Sequence, residues 1–368
     1  QCSRVITEKN KMLVMLFALP FGLAQAGELT VTGSVKTTYS IASEDVDTGK
    51  ALGVENDFTF GANGENDFGT WAYATDFDGG TALDDSKLTL TTGYGTIGVF
   101  ISEGGLDTDN SASQSVYARP SDMSYNEGMF DTFDLSGANT FQYHMPADLL
   151  PFGIVGKVAF APASSSAGAV NDANATGTQN SGQFSNTTAA FNTTSSPFGQ
   201  GSNLGRTAMH YQIKANPFTG LNIGGDYLDY DSVKAGDSGS IEQEPESGNL
   251  FATFDYGNAA VGISKSKTHF AVGAADQAIV SKITGSKMSI AYNVNDALSI
   301  SYESEKSRAA GENSRVSVSG IEMKSKGTQA AYTVGGMTLA IAQNSHDNAR
   351  YTVDNDVTDT VFSVAMEF

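Results

Sequence analysis

The 368-residue chain has one cysteine, Cys2, so no disulfide within the chain can form. That cysteine precedes the first apolar run, which excludes it as a lipid-attachment site. Nowhere does the chain approach the roughly 20 consecutive apolar residues of a membrane helix, and the longest apolar run, Met12 to Leu23, contains Pro20. Helical periodicity of useful length is also missing. Basic charge is scarce: 21 Lys and Arg stand against 41 Asp and Glu, for a net charge of -20. Nucleic acid is thereby excluded as a partner, because binding it needs clustered cations. The four histidines, His144, His210, His269 and His346, have no metal-ligand spacing. No nucleophile elbow, phosphate loop or zinc pattern occurs. Catalytic residues, a metal centre and a cofactor are therefore not expected.

What is present is alternation with period two. Leu29, Val31, Val35, Tyr39 and Ile41 share one face, while Thr30, Thr32, Ser34, Lys36 and Thr38 share the other. Leu52, Val54, Phe58 and Phe60 alternate with Glu55, Asp57 and Thr59. The same pattern runs through Leu88–Leu90, Ile97–Ile101, Phe141–Met145, Met209–Ile213, Met288–Val294 and Leu298–Tyr302. It closes with Phe362, Val364, Met366 and Phe368 against Ser363, Ala365 and Glu367. The polar faces suit water and the varied apolar faces suit lipid. A membrane protein without apolar helices must be a closed β-barrel, the other way to satisfy every backbone group in lipid.

Turn signals alternate in length as well. Short ones fall near Asn63-Gly64, Gly93, Pro146–Pro151, Asn216–Gly220, Tyr256–Asn258, Asn295-Asp296 and Gly335-Gly336. Between them lie long segments: 43–50, 76–85, 104–136, 162–203, 231–246, 268–282, 307–320 and 345–357. Short turns at one rim and long loops at the other predict an all-β antiparallel transmembrane barrel of about sixteen strands, wide enough for a water channel. Residues 27–368 are expected to form this single barrel. Residues 1–26 read as a cleaved secretory signal: Lys9 and Lys11, an apolar core, then Ala24-Gln25-Ala26. Its removal takes away a net +2 and leaves about -22, since it holds Arg4, Lys9, Lys11 and Glu8.

Gly53-Val-Glu-Asn-Asp-Phe58, Asp76-Phe-Asp-Gly-Gly80, Lys87–Thr92 followed by Tyr94–Gly98, and the terminal Phe368 resemble the general-diffusion porins of Gram-negative bacteria, most nearly the alphaproteobacterial type. The resemblance spans Gly27 to Phe368. It implies a passive, non-enzymatic channel of sixteen strands, a homotrimer in the outer membrane, exported through the periplasm. Its partners would be outer-membrane lipid and lipopolysaccharide, the barrel-assembly machinery and small polar solutes. Phe362, Val364, Met366 and Phe368 would form the segment read during assembly. The third long loop, 104–136, would fold inward as the constriction.

On that expectation the constriction residues are Asp107, Asp109, Arg119, Asp122 and Glu127, in a loop that also holds Asp131 and Asp134. The polar parity puts Lys36, Glu55, Lys87 and Arg206 on the pore wall, with Lys157 and Lys214. Acid on the loop opposite base on the wall sets a transverse field and, in so acidic a chain, a weak cation preference. Loop carboxylates at 44–47, 76–79 and 354–356 resemble fragments of calcium loops without the full pattern; a variant reading has them share divalent cations with lipid headgroups. Glu55 with Asp57, and Glu303 with Glu305, read as wall charge rather than as a catalytic pair. Two rivals remain at the level of sequence. A substrate-specific channel needs a ladder of aromatics or arginines in the lumen, which is not evident. A secreted or surface β-rich adhesin needs neither Phe368 nor the long-short alternation.

Overall fold

The computed structural model describes residues 29–43, 50–78, 85–101, 105–123, 130–135, 138–161, 184–185, 203–205, 207–231, 241–270, 272–273, 280–311 and 320–367. Among these, sixteen strands form the barrel. They are β1 (Leu29–Ser43), β2 (Lys50–Asn66), β3 (Gly69–Asp78), β4 (Ser86–Thr92), β5 (Gly95–Ile101), β6 (Thr140–His144), β7 (Val155–Ala161) and β8 (Thr207–Phe218). There follow β9 (Leu221–Asp231), β10 (Glu246–Tyr256), β11 (Ala259–His269), β12 (Val280–Asn293), β13 (Leu298–Gly311), β14 (Glu322–Val334), β15 (Met337–Asp347) and β16 (Val357–Glu367). Each pairs antiparallel with its sequence neighbours, and β1 pairs with β16 to close the sheet. Lys36 of β1 therefore lies opposite Glu55 on one side and Ala365 on the other. Two short ribbons form sheets of their own, Phe184–Ser185 with Asn203–Gly205 and Ile241–Gln243 with Val272–Gly273. No helix among the described residues is long and apolar enough to cross a membrane.

The alternation produces an inside-out burial pattern. Leu52, Leu250 and Ile213 are 73%, 70% and 58% exposed, whereas Glu303, Ser325 and His346 are fully buried. An exterior band of large apolar side chains would be a liability in water; facing lipid it is the stable arrangement. Exposed Phe68, Tyr94, Phe152, Phe218 and Tyr256 cluster at the short-turn rim, where amphipathic rings favour a membrane interface. Phe362, Val364 and Met366 of β16 point outward, and Phe368 lies outside the described residues, as does the segment 1–28.

The turns follow the expected order with one displacement. Gly335 and Gly336 both take positive φ, 59° and 78°, as a two-residue hairpin requires. The turn expected at Asn63-Gly64 falls instead at Asp67-Phe68, and β2 runs on to Asn66. The Asn66 Oδ1 accepts the N–H groups of Phe68 and Gly69 at 2.9 and 3.1 Å. That side-chain closure outcompetes the Asn-Gly pair three residues earlier. Among the described residues, the apolar core is a seam inside the barrel. It joins Leu106, Phe130, Phe133 and Leu135 of the third loop to Leu228, Tyr230, Val280, Ile283, Ala309 and Met323 of β9 and β12–β14.

Candidate pore constriction

The segment between β5 and β6 leaves the wall at Ile101 and returns at Thr140, yet its contacts lie across the barrel on β8 to β14. At Leu106 the backbone N–H donates to His210 Nδ1 at 3.3 Å, and the carbonyl accepts from Gln212 Nε2 at 2.8 Å. Thr108 donates through its N–H to Asp226 at 2.8 Å, and its carbonyl accepts from Asn249 at 2.8 Å. Further on, the hydroxyls of Ser113 and Ser115 donate to Glu303, and the N–H groups of Val116 and Tyr117 donate to Ser301 and Gln329 at 3.0 Å. Ser121 N–H donates to Glu305 at 2.9 Å. The returning limb reaches β10 and β9, where Phe133 N–H donates to Ser247 at 3.1 Å and the Tyr230 hydroxyl to the Asp134 carbonyl at 3.3 Å.

The wall makes room for this loop with glycine. A Cβ on Gly262 of β11 would stand 1.9 Å from the Ala112 carbonyl oxygen, and one on Gly327 of β14 2.8 Å from the Pro120 ring. Inward-facing glycine within a strand marks just such a close approach.

At the tip, Arg119 is 5% exposed. It donates to Asp122 at 3.0 Å and to Asp131 at 2.7 Å, and lies 4.0 Å from Glu305. Lys287 of β12 sits 3.6 Å from Asp131 and 3.7 Å from Glu305, and donates to the Asp109 carbonyl at 3.2 Å. Burial works against the Arg119 charge, but Asp131, Asp122 and Glu305 outweigh it and hold its pKa above the ordinary arginine range. Two buried cations and the carboxylates around them thus pin the loop to the wall.

The expected residues separate by place. Asp109 is 3% exposed, and its carboxylate accepts from the Thr132 N–H and hydroxyl, within the loop rather than facing the channel. Burial pushes its pKa up to about 7. Asp107 is half-buried, its pKa raised first by burial and then by Asp134 and Asp226. Asp122 is exposed. Lys36, Lys87, Lys157 and Lys214 have the inward parity of their strands, with Lys157 opposite Gln212. Glu55 lies opposite Lys36 in register, while its side chain, Glu127 and Arg206 lie outside the described residues. Lys287 and Asp226 are the anchors that sequence reading missed; their signal was a charged residue at the inward parity of its strand. Among the described residues no three His, Cys, Asp or Glu converge as a metal site.

The architecture has solved counterparts. The chain superposes on OmpF of Salmonella typhi, in complex with daunomycin, at a TM-score of 0.61 and 13% identity, over 93% of this chain and 98% of that one. A porin refined at 1.8 Å gives 0.59 and 11% over 93% and 100%. OmpT, an outer membrane protein of Vibrio cholerae, gives 0.58 and 11% over 92% and 97%. At such identities the likeness is one of fold. No protein-family model matches the chain, and no curated protein matches it in sequence.

Proposed function

We propose that this barrel, whose fold is the porin fold, is a water-filled channel of the bacterial outer membrane for passive diffusion of small hydrophilic solutes and ions. The observation that carries this reading is the third loop seated inside the barrel against β8–β14. A soluble barrel would have no reason to face apolar residues outward and thread a polar loop through a polar interior. The loop narrows the lumen to the space between its own free face and the wall of β15, β16 and β1–β7. Solutes cross down their gradient, and no bond is made or broken. Size and charge at the narrowing set selectivity.

In this reading residues 1–26 are removed on export, the chain assembles as a homotrimer, and Phe368 with Phe362, Val364 and Met366 guides barrel insertion. Asp107, Asp122 and Glu127 contribute lumen charge opposite Lys36, Lys87 and Arg206. The net balance is a weak preference for cations. Single-channel recording in a planar bilayer, with reversal potentials under a salt gradient, tests the proposal. Stepwise ohmic conductance is expected. A purified, folded barrel that leaves the bilayer non-conducting would overturn it.

A further inference from the structure

Two lysines on the lumen wall stand together without a counter-charge. Lys157 of β7 and Lys214 of β8 share the inward parity of buried Ala159 and Gln212. Register places Lys157 opposite Gln212 and Lys214 opposite Val155. They are therefore diagonal neighbours on one face, about 7–8 Å apart at the backbone. The charge of Lys214 acts on Lys157, and that of Lys157 on His144, its partner in register on β6. Neither lysine has an acidic partner among the described residues.

The groups around the pair leave it unbalanced. Asp226, opposite Gln212, is the carboxylate diagonal to Lys214. Both its oxygens are engaged, one by the Thr108 N–H at 2.8 Å and the other by His210 at 3.4 Å. His144 is held by Gln142 Oε1 at 2.8 Å and lies against Phe100, with ring centroids 5.7 Å apart. Lys214 extends over the Phe251 ring, its Nζ 5.7 Å from the centroid. A Cβ on Gly224 would stand 2.9 Å from that ring and 3.0 Å from Lys214 Cγ, so glycine makes room for the stem. The buried cations Arg119 and Lys287, by contrast, each have carboxylates within 4.0 Å. Like charges set among apolar and amide groups repel each other until an anion joins them.

Their place in the barrel gives the pair a use. The loop's first anchor is Leu106, on His210 and Gln212. Lys157 lies beside Gln212, and Lys214 two residues nearer the short turn that follows Phe218. A solute passing the loop toward the short-turn mouth meets both. Two ammonium groups suit one doubly charged group with oxygens on several sides. Lysine holds phosphate as a point charge, whereas a planar carboxylate is matched by the arginine fork, and both positions here are lysine. A site on a diffusion path must also release what it binds, and two flexible stems hold weakly enough to do so.

We propose that Lys157 and Lys214 form a transit site for the phosphoryl group of small solutes, just past the loop on the short-turn side. The assignment names a solute class for the channel proposed above. It rests on that reading for access to the lumen, not for the chemistry of binding. The site is local, and the lumen as a whole keeps its weak cation preference.

Phosphorus NMR of the detergent-purified barrel tests it, with inorganic phosphate and glycerol phosphate as probes and acetate as competitor. Line broadening should be saturable, in the millimolar range, and unaffected by equimolar acetate. The probe that binds more tightly shows whether free phosphate or a phosphate ester is the better match. Lys157→Gln with Lys214→Gln should weaken binding by a factor on the order of a hundred, for two charged hydrogen bonds lost. The corresponding Lys→Arg pair should retain it. Lys36→Gln with Lys87→Gln removes the same charge from another part of the wall, and should weaken binding by less than about threefold through the screened field alone. Heat-modifiable mobility checks that each barrel is folded; if the Gln pair is not, Lys214→Gln alone should show a loss of about tenfold. Broadening that never saturates, displacement by acetate, or equal losses from the two Gln pairs would overturn the site. Conductance of wild type is recorded in parallel. Saturable binding by a barrel that does not conduct would overturn the channel and support the site, whereas stepwise conductance without saturable binding would overturn the site alone.

Discussion

Gly262 and Asp109 show how single residues hold the loop. The Ala112 carbonyl occupies the space a side chain at Gly262 would need. Gly262→Val should therefore leave the barrel closed and push the loop off β11, at about 1–3 kcal/mol of overpacking. Higher single-channel conductance and faster proteolysis within 105–123, at unchanged heat-modifiable mobility, are the expected readouts. Asp109 adds a pH dependence. Burial raises its pKa from 3.8 to about 7, against the opposing pull of Lys287 and the Thr132 N–H. The docked loop thus keeps a proton that a free loop releases near 3.8. Docking is strongest below that value, weakens as pH rises toward about 7, and changes no further above it through this group. Asp107 shifts in the same direction. Amide exchange in 105–123, corrected for intrinsic rate, should be more protected at pH 5 than at pH 8, and Asp109→Asn should flatten the difference. Equal protection in wild type at both values would remove Asp109 from the account.

At the scale of elements, strand parity was fully legible because lipid on one side and water on the other impose period two with little exception. The missed register at Asn63-Gly64 has a local cause, since two turn signals stand within seven residues and the Asn66 side chain decides between them. The loop is a different case. Its boundaries were readable, but its docking rests on pairs such as Ser121–Glu305 and Tyr117–Gln329, nearly two hundred residues or more apart. No periodicity encodes such pairs, and a stretch rich in Ser and Asp reads equally well as solvated. Hence Asp109 and Arg119, expected to line the gap, turn out buried against loop and wall. Arg119→Ala should leave Glu305 and Asp131 without their guanidinium and cost about 3–5 kcal/mol of loop docking. Reversal potentials should then move toward stronger cation preference, as Asp122 loses its counter-ion and Asp131 keeps only Lys287. Arg119→Lys, which keeps the charge without the planar fork, should fall between. An unchanged reversal potential in Arg119→Ala would mean that this cluster is electrically remote from the path.

At the scale of the whole molecule, what matters is how charge is divided around the lumen. Inward lysines lie on β1, β4, β7 and β8 as Lys36, Lys87, Lys157 and Lys214, while the loop brings its acids to the β8–β14 side. Net charge alone is a poor guide to selectivity, because acids on the long loops are screened over about 8–10 Å at moderate salt. The loop's own acids are partly spent as well: Asp122 and Asp131 answer Arg119, and Asp109 is turned inward. On the proposed reading, Asp107, part of Asp122 and Glu127 are left to face the lysines across the gap. Two variants of opposite sign separate the contributions. Asp107→Asn, Asp122→Asn, Glu127→Gln together should reduce cation preference, and Lys36→Gln with Lys87→Gln should increase it. Both differences should shrink as salt rises and the screening length falls from about 10 Å at 0.1 M to about 3 Å at 1 M. If both variants shift the reversal potential in the same direction, or neither does, the loop and the β1–β4 wall do not face each other across the conducting path, and the narrowing lies elsewhere in the barrel.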